Sequence, residues 1–249
     1  MSARRRKRSA AARIRPFWMP IALGGAAVVT ALVVAALWPG FDPQVIDVTG
    51  NQRVSSGQIL SRAAIASHES IWLQNTGAIE ARIEAIPYIA TASIHRLPPS
   101  AIAIEVHERV PFAILRSGDD AVVVDRALRV LAPAGDAEAD ADTRPVFVVK
   151  PGLDLAMGRF ATTRDAVSLR DAYDAMAAKR IEPLELSLDR FGGLVVTLPG
   201  GLRLLLGSEA DLDRKLGLAQ AILAQIVHDR RRVAAIDLRA PATPVLIYR

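Results

Sequence analysis

The longest apolar run in the chain lies near its amino end, where Phe17 to Trp38 pass 22 residues without a charged side chain. As a helix this run reaches about 33 Å against a hydrocarbon core of roughly 30 Å, so it predicts one transmembrane helix. It lacks the polar face of a core helix, and it is longer than the roughly 7–15 apolar residues of a cleaved signal peptide, whose cut would fall after the small residues Val34 and Ala36. Trp18 and Trp38 stand at its two ends, where indole rings favour the membrane interface.

Beyond Pro39-Gly40 the pattern changes to short alternations. Ile46 and Val48 share one face of a strand over Val45 to Val48, and Thr49-Gly50-Asn51 signals a turn. Ser55 and Gln58 have capping-box spacing, with Val54 and Ile59 placed as a hydrophobic staple, so a helix opens at Ser55. Ile79, Ile83 and Ile86 predict a second helix with Glu80, Arg82 and Glu84 outward, ended by Pro87. Ala92 to Arg96 and Ala101 to His107 read as strands joined by Leu97-Pro98-Pro99-Ser100. The order β-α-α-β-β suits a three-stranded sheet covered on one face by two helices.

Farther on, Pro133 to Arg144 reads as a loop and Val146 to Val149 as a strand. Thr162 and Asp165 are expected to open a helix whose Ala166, Leu169, Tyr173 and Met176 share a face. Three alternating strands follow at Leu184 to Leu188, Leu194 to Leu198 and Leu202 to Leu206, the last two joined at Pro199-Gly200-Gly201. Ser208 and Asp211 open a helix with Leu212, Leu216, Ala219, Leu223 and Ile226 at four-three spacing. That pattern is too short for a coiled coil and predicts packing on the chain's own sheet. Ile236 to Arg239 begins a terminal strand pair that ends with Val245 to Tyr248. The fold class is α+β, with a mixed α/β second domain built on a largely antiparallel sheet.

Charge alters this picture at one end only. Residues 1–16 carry seven of the 31 Lys and Arg and no acid, so the other 233 residues hold 24 basic and 26 acidic side chains, a net of −2. The pI of about 10.1 therefore belongs to a short basic tail, and a nucleic-acid partner is not expected. Contact with anionic lipid and the setting of topology are its expected uses, with the tail cytoplasmic and residues 39–249 extracytoplasmic.

Candidate chemistry is sparse. Zero cysteines exclude disulfides, thiolate nucleophiles and cysteine-ligated metals. His68, His95, His107 and His228 are scattered, and neither a nucleophile elbow nor a Walker loop nor a zinc motif occurs. His107-Glu108-Arg109 reads as solvated side chains leaving a sheet, the Gly192-Gly193 and Gly200-Gly201 pairs as hairpin turns, and Arg230-Arg231-Arg232 as charge favourable at a helix carboxyl end. The expectation is a binding protein rather than an enzyme, with no cofactor, metal or small-molecule substrate.

Several segments, taken in order, carry a family likeness. Val48-Thr49-Gly50-Asn51-Gln52-Arg53-Val54 and Ile86-Pro87-Tyr88-Ile89 with Ala92 and Arg96 resemble the POTRA domain of the bacterial cell-division family FtsQ/DivIB. Glu108-Arg109-Val110-Pro111-Phe112-Ala113 and Val124 to Leu131 are similar to the passage into that family's β domain, and Ile236 to Arg239 to its late Asp-Leu-Arg strand. The resemblance implies a basic tail at 1–16, an anchor at 17–38, a POTRA domain at 42–109 and a β domain at 110–249.

It further implies an essential-type divisome scaffold in the plasma (inner) membrane, enriched at the septum. Such a scaffold recruits FtsB, FtsL and later septal proteins, and its POTRA domain aids localisation. By the same likeness the FtsB site lies on Arg239, Ala240, Val245, Leu246, Ile247 and Tyr248, with Arg239 meeting an acidic partner side chain and Ala240 standing where the family often has an aromatic residue. Two rivals remain. One is a membrane-tethered envelope hydrolase; the other is a POTRA-containing assembly or secretion factor, against which the lack of tandem repeats and of barrel strands counts.

Overall fold

Arg15–Ala36 form one continuous helix, α1, whose side chains from Trp18 to Val34 are exposed. The structure, a computed structural model, describes residues 15–36, 38–136, 144–226 and 233–248. Among the described residues no helix is long and apolar enough to cross a membrane. The described side chains of α1 cover only 18–34, which is about 26 Å of helix against a core of roughly 30 Å. The basic tail and Arg230-Arg231-Arg232 lie outside the described residues.

The chain divides into two compact units, Met1–Glu84 with Thr91–His107, and Ala85–Ala90 with Glu108–Arg249. In the first, β1 (Val45–Thr49), β3 (Ala101–Glu108) and β2 (Ile89–Leu97) form a sheet in the order β1-β3-β2, with β1 and β3 parallel. Helices α2 (Ser56–Ala63) and α3 (Thr76–Glu84) supply the buried Ile59, Ile79 and Ile83, and β3 supplies Ile102, Ile104 and Val106. Ser55 caps α2 as expected, its hydroxyl accepting from the Gln58 amide. Ile86 is buried but lies past the end of α3, because Pro87 disfavours helical backbone at the residue before it.

The second unit is a nine-stranded sheet in the order β12-β11-β10-β9-β8-β7-β4-β5-β6. Its strands are β4 (Pro111–Ser117), β5 (Asp120–Asp125), β6 (Val130–Pro133), β7 (Val146–Val149), β8 (Glu185–Leu188), β9 (Leu194–Thr197), β10 (Arg203–Gly207), β11 (Val233–Asp237) and β12 (Val245–Tyr248). Five neighbour pairs are antiparallel and three parallel, so the sheet is more mixed than the alternation pattern implies. Two of the parallel pairs follow from helical crossovers, α4 (Arg164–Ala178) between β7 and β8 and α5 (Leu212–Ile226) between β10 and β11. Leu169 and Met176 of α4 and Leu216 and Ala219 of α5 close the core over Leu115, Phe147, Leu186, Val196, Leu204 and Ile236. Tyr173 of α4 stacks edge-on against Phe112, ring centroids 5.2 Å apart.

Three sequence expectations are corrected, and one stretch without assigned elements gains them. Residues 111–133 hold three strands that the alternation did not reveal, since Val122, Val123 and Val124 are all buried and form a continuous apolar run. The loop expected from Pro133 contains the end of β6 and a 3-10 turn at Ala134–Asp136, and 137–143 lie outside the described residues. Thr163, not Thr162, caps α4, its hydroxyl accepting from the Ala166 amide. The late strand is Val233–Asp237 rather than Ile236 to Arg239: the Leu238 amide still donates to Leu205, while Arg239 turns out of the ladder.

Candidate functional site

The predicted partner residues sit at one margin of the second unit. β12 is the edge strand among the described residues, paired with β11 in the register Val233↔Tyr248, Ala235↔Ile247, Ile236↔Leu246 and Asp237↔Val245. Period-two geometry divides its side chains. Leu246 packs against the core, while Val245 and Ile247 are exposed and Tyr248 is 47% exposed. Beneath Leu246 and Tyr248 a cavity of about 210 Å³ opens toward α5, lined also by Ile222, Gln225, Ile226 and Val233. An edge strand with three exposed apolar side chains offers unpaired backbone groups and greasy surface together.

Arg239 and Ala240 lie on the connection from β11 to β12, where the Thr243 amide closes a turn on the Ala240 carbonyl. Arg239 does not project freely. Its Nε donates to both carboxylate oxygens of Asp237 at 3.0 Å, and its Nη2 donates to Oδ2 at 2.5 Å. The stem of Arg239 lies across Gly207, where a Cβ would come 2.9 Å from the Arg239 Cγ and where φ is +65°, so glycine is required on both counts. Asp189, bound at Oδ1 by the amides of Gly193 and Phe191, adds a second negative charge near the guanidinium.

Within the predicted set, Arg239, Ala240 and Val245 therefore cluster at one end of the edge. Tyr248 sits at the other end, three residues or about 10 Å along the strand. The sequence reading missed the roles of Asp237, Asp189 and Gly207. Asp237 was visible in the Asp-Leu-Arg triplet, whose i and i+2 members point to the same side; Asp189 and Gly207 had no local signal.

Hydrogen bonding by Arg239 holds the Asp237 carboxyl below the usual carboxylate range, while the Gly193 and Phe191 amides do the same for Asp189. A depressed folded-state value means that the contribution of these contacts is present above the ordinary Asp range and is lost as pH falls through the lowered one. The Arg239–Asp237 clasp is thus expected to stay closed at neutral and mildly acidic pH. NMR titration of the Asp237 carboxyl carbon checks this, and a midpoint at or above that of a free aspartate would show the clasp absent in solution.

Among the described residues no group of three or more His, Cys, Asp or Glu side chains is arranged to hold a metal ion. His107 is exposed as expected, but Arg109, expected to be solvated, turns inward to Asp125 at 2.7 Å because the Asp125 carboxylate supplies its counter-ion.

Comparison with known proteins adds the lineage. Residues 41–109 match the model of the FtsQ-type POTRA domain, and residues 113–239 match that of the C-terminal domain of cell division protein FtsQ/DivIB. The chain belongs to the FtsQ/DivIB family. It is 30% identical over 205 residues to the cell division protein FtsQ of Syntrophotalea carbinolica, covering 79% of this chain and 69% of that protein. Against FtsQ of Agrobacterium fabrum the identity is 26%, covering 80% of this chain and 59% of the relative, so the chain spans less than two thirds of that protein. Similarity reaches the cell division protein DivIB of Clostridium tetani at 21%, covering 75% and 71%. The FtsQ/DivIB C-terminal match ends at residue 239, so β12 falls beyond it.

Proposed function

We propose that this FtsQ/DivIB chain is a membrane-anchored, non-enzymatic scaffold of the divisome. In this reading α1 belongs to a single span, 17–38, with residues 1–16 cytoplasmic; 42–109 act as the POTRA domain in localisation, and 110–249 act as the β domain that recruits FtsB and FtsL at the septum. The anchor is supported by the 22 uncharged residues flanked on one side by seven basic ones. The single observation that carries the recruiting role is the exposed apolar edge of β12, beside a clasped arginine. A partner strand added to that edge would satisfy backbone groups and cover Val245 and Ile247, the geometry of β-augmentation.

Depletion is expected to give filamentous cells that grow without septa, with FtsB and FtsL absent from midcell. Full-length protein should restore both, and protein truncated before Val245 should restore neither. Normal septation after depletion would refute the division role in this organism; restored recruitment by the truncated protein would remove β12 from it.

A further inference from the structure

The first unit carries an apolar feature that the partner edge does not use. Trp72 and Leu73 are 49% and 47% exposed at the tip of the loop between α2 and α3, yet this loop is tightly built. Ser70 and Gln74 are buried polar side chains. Gln74 donates from Nε2 to the carbonyls of Ala66 at 2.7 Å and Glu69 at 2.9 Å. Arg96 reaches across from β2, its Nε donating to the Ile71 carbonyl at 2.6 Å and its Nη2 to the Gln74 carbonyl at 2.7 Å. The Leu73 amide closes a turn on the Ser70 carbonyl. Burying so many polar groups to fix a loop makes its two outward apolar residues a held shape rather than a frayed end.

That tip is tied to the carboxyl end of α1. The Ile71 amide donates to the Phe41 carbonyl at 2.8 Å, and the Phe41 and Trp72 rings meet edge-on with centroids 6.4 Å apart. The indole of Trp38 folds over Gly40, where a Cβ would approach ring atoms to 2.8 Å. Phe41 follows Ala36 by five residues, a reach of at most about 18 Å. Phe41 and Trp72, with Leu73 next to Trp72 in the chain, are therefore held close to where α1 ends.

We infer that the loop carrying Trp72 and Leu73 docks on the outer membrane–water interface of the bilayer that α1 enters, its occupant being the lipid headgroup and upper acyl region. The inference rests on the proposed anchor. Indole rings favour this zone, and the chain between Ala36 and Phe41 is too short to carry the tip far from it. Residues 64–75 contain no Lys or Arg, so contact comes from apolar insertion and not from attraction to anionic lipid. Docking should therefore occur on zwitterionic phosphatidylcholine and persist in high salt.

The chain has three tryptophans, which permits a direct test. Full-length protein carrying Trp18→Phe and Trp38→Phe leaves Trp72 as sole emitter, and Trp38→Phe with Trp72→Phe leaves Trp18. Both are reconstituted into phosphatidylcholine vesicles, with and without lipid brominated near the headgroup end of its acyl chains. The expected result is loss of most Trp72 emission in brominated vesicles, undiminished by salt, together with quenching of Trp18. Quenched Trp18 with unquenched Trp72 overturns the docking while leaving the anchor intact. If neither is quenched, the anchor reading fails and the docking fails with it. Trp72 quenching that disappears in high salt overturns the apolar mode.

Discussion

Replacing Asp125 with alanine is expected to destabilise the second unit by about 3–5 kcal/mol, a large part of the total stability of about 5–15 kcal/mol usual for a domain. Asp125 is 6% exposed at the end of β5. One carboxylate oxygen takes the Arg109 Nη1 at 2.7 Å and the other takes the Arg129 amide at 2.8 Å. Arg109 also donates from Nε to the Ile89 carbonyl at 3.3 Å, and the guanidinium groups of Arg109 and Arg129 lie 5.9 and 5.7 Å from the centroid of Phe160. Alanine would leave the Arg109 charge, 17% exposed, without its counter-ion and a backbone amide without its acceptor. Asp125→Asn keeps the shape and an acceptor, so its loss should be smaller. Urea unfolding of residues 39–249 reads both, and an Asp125→Ala midpoint within about 1 kcal/mol of the parent would show the pair to be solvated in solution.

That ion pair also marks where sequence reasoning stops. Arg109 and Asp125 stand 16 residues apart, and pairing across such a distance has no local periodicity, so Arg109 read as solvated. Local signals did well. The Ser55 cap and the four-three spacing of α5 follow from short-range rules, and the structure has both of them. The rules failed where burial is two-sided, as at Val122 to Val124, or where a polar residue is spent inside. Lys215 falls next to the apolar stripe of α5 yet is 2% exposed, its Nζ donating to the Leu206 and Ser208 carbonyls at 2.9 and 2.7 Å. At the candidate site the strand over Val245 to Tyr248 was legible from its apolar run, whereas its edge position comes only from the sheet order. The surroundings of the Arg239–Asp237 clasp were not legible, because Asp189 and Gly207 reach it only when the β8–β9 hairpin, the end of β10 and the exit of β11 are brought to one end of the sheet.

Arg239→Glu and Tyr248→Ala are each expected to weaken FtsB binding by more than about 1 kcal/mol, or at least fivefold in Kd, with the fold retained. The two act at opposite ends of the same edge. Asp237 engages Nε and Nη2 of Arg239, which fixes the plane of the guanidinium and leaves Nη1 without a hydrogen bond among the described residues. A partner carboxylate can therefore approach an arginine whose orientation has already been set, which lowers the entropy lost on binding. Glutamate at 239 would instead place a third carboxylate beside Asp237 and Asp189 and repel an acidic partner. Asp237→Asn keeps the charge on Arg239 but loosens its orientation, so its effect should fall between those of Arg239→Glu and the parent. Tyr248 covers the cavity toward α5 with one face and is about half exposed, so a partner side chain seated there would lose its aromatic wall in Tyr248→Ala. Met157→Ala serves as the control, a 58% exposed side chain beside β6 at the opposite edge of the sheet, and should bind FtsB as the parent does. Affinities measured with ectodomains of confirmed fold decide the matter. Parent-like Kd values for both Arg239→Glu and Tyr248→Ala would move the recruiting surface off this edge, whereas a loss confined to Tyr248→Ala would keep the strand and discard the arginine.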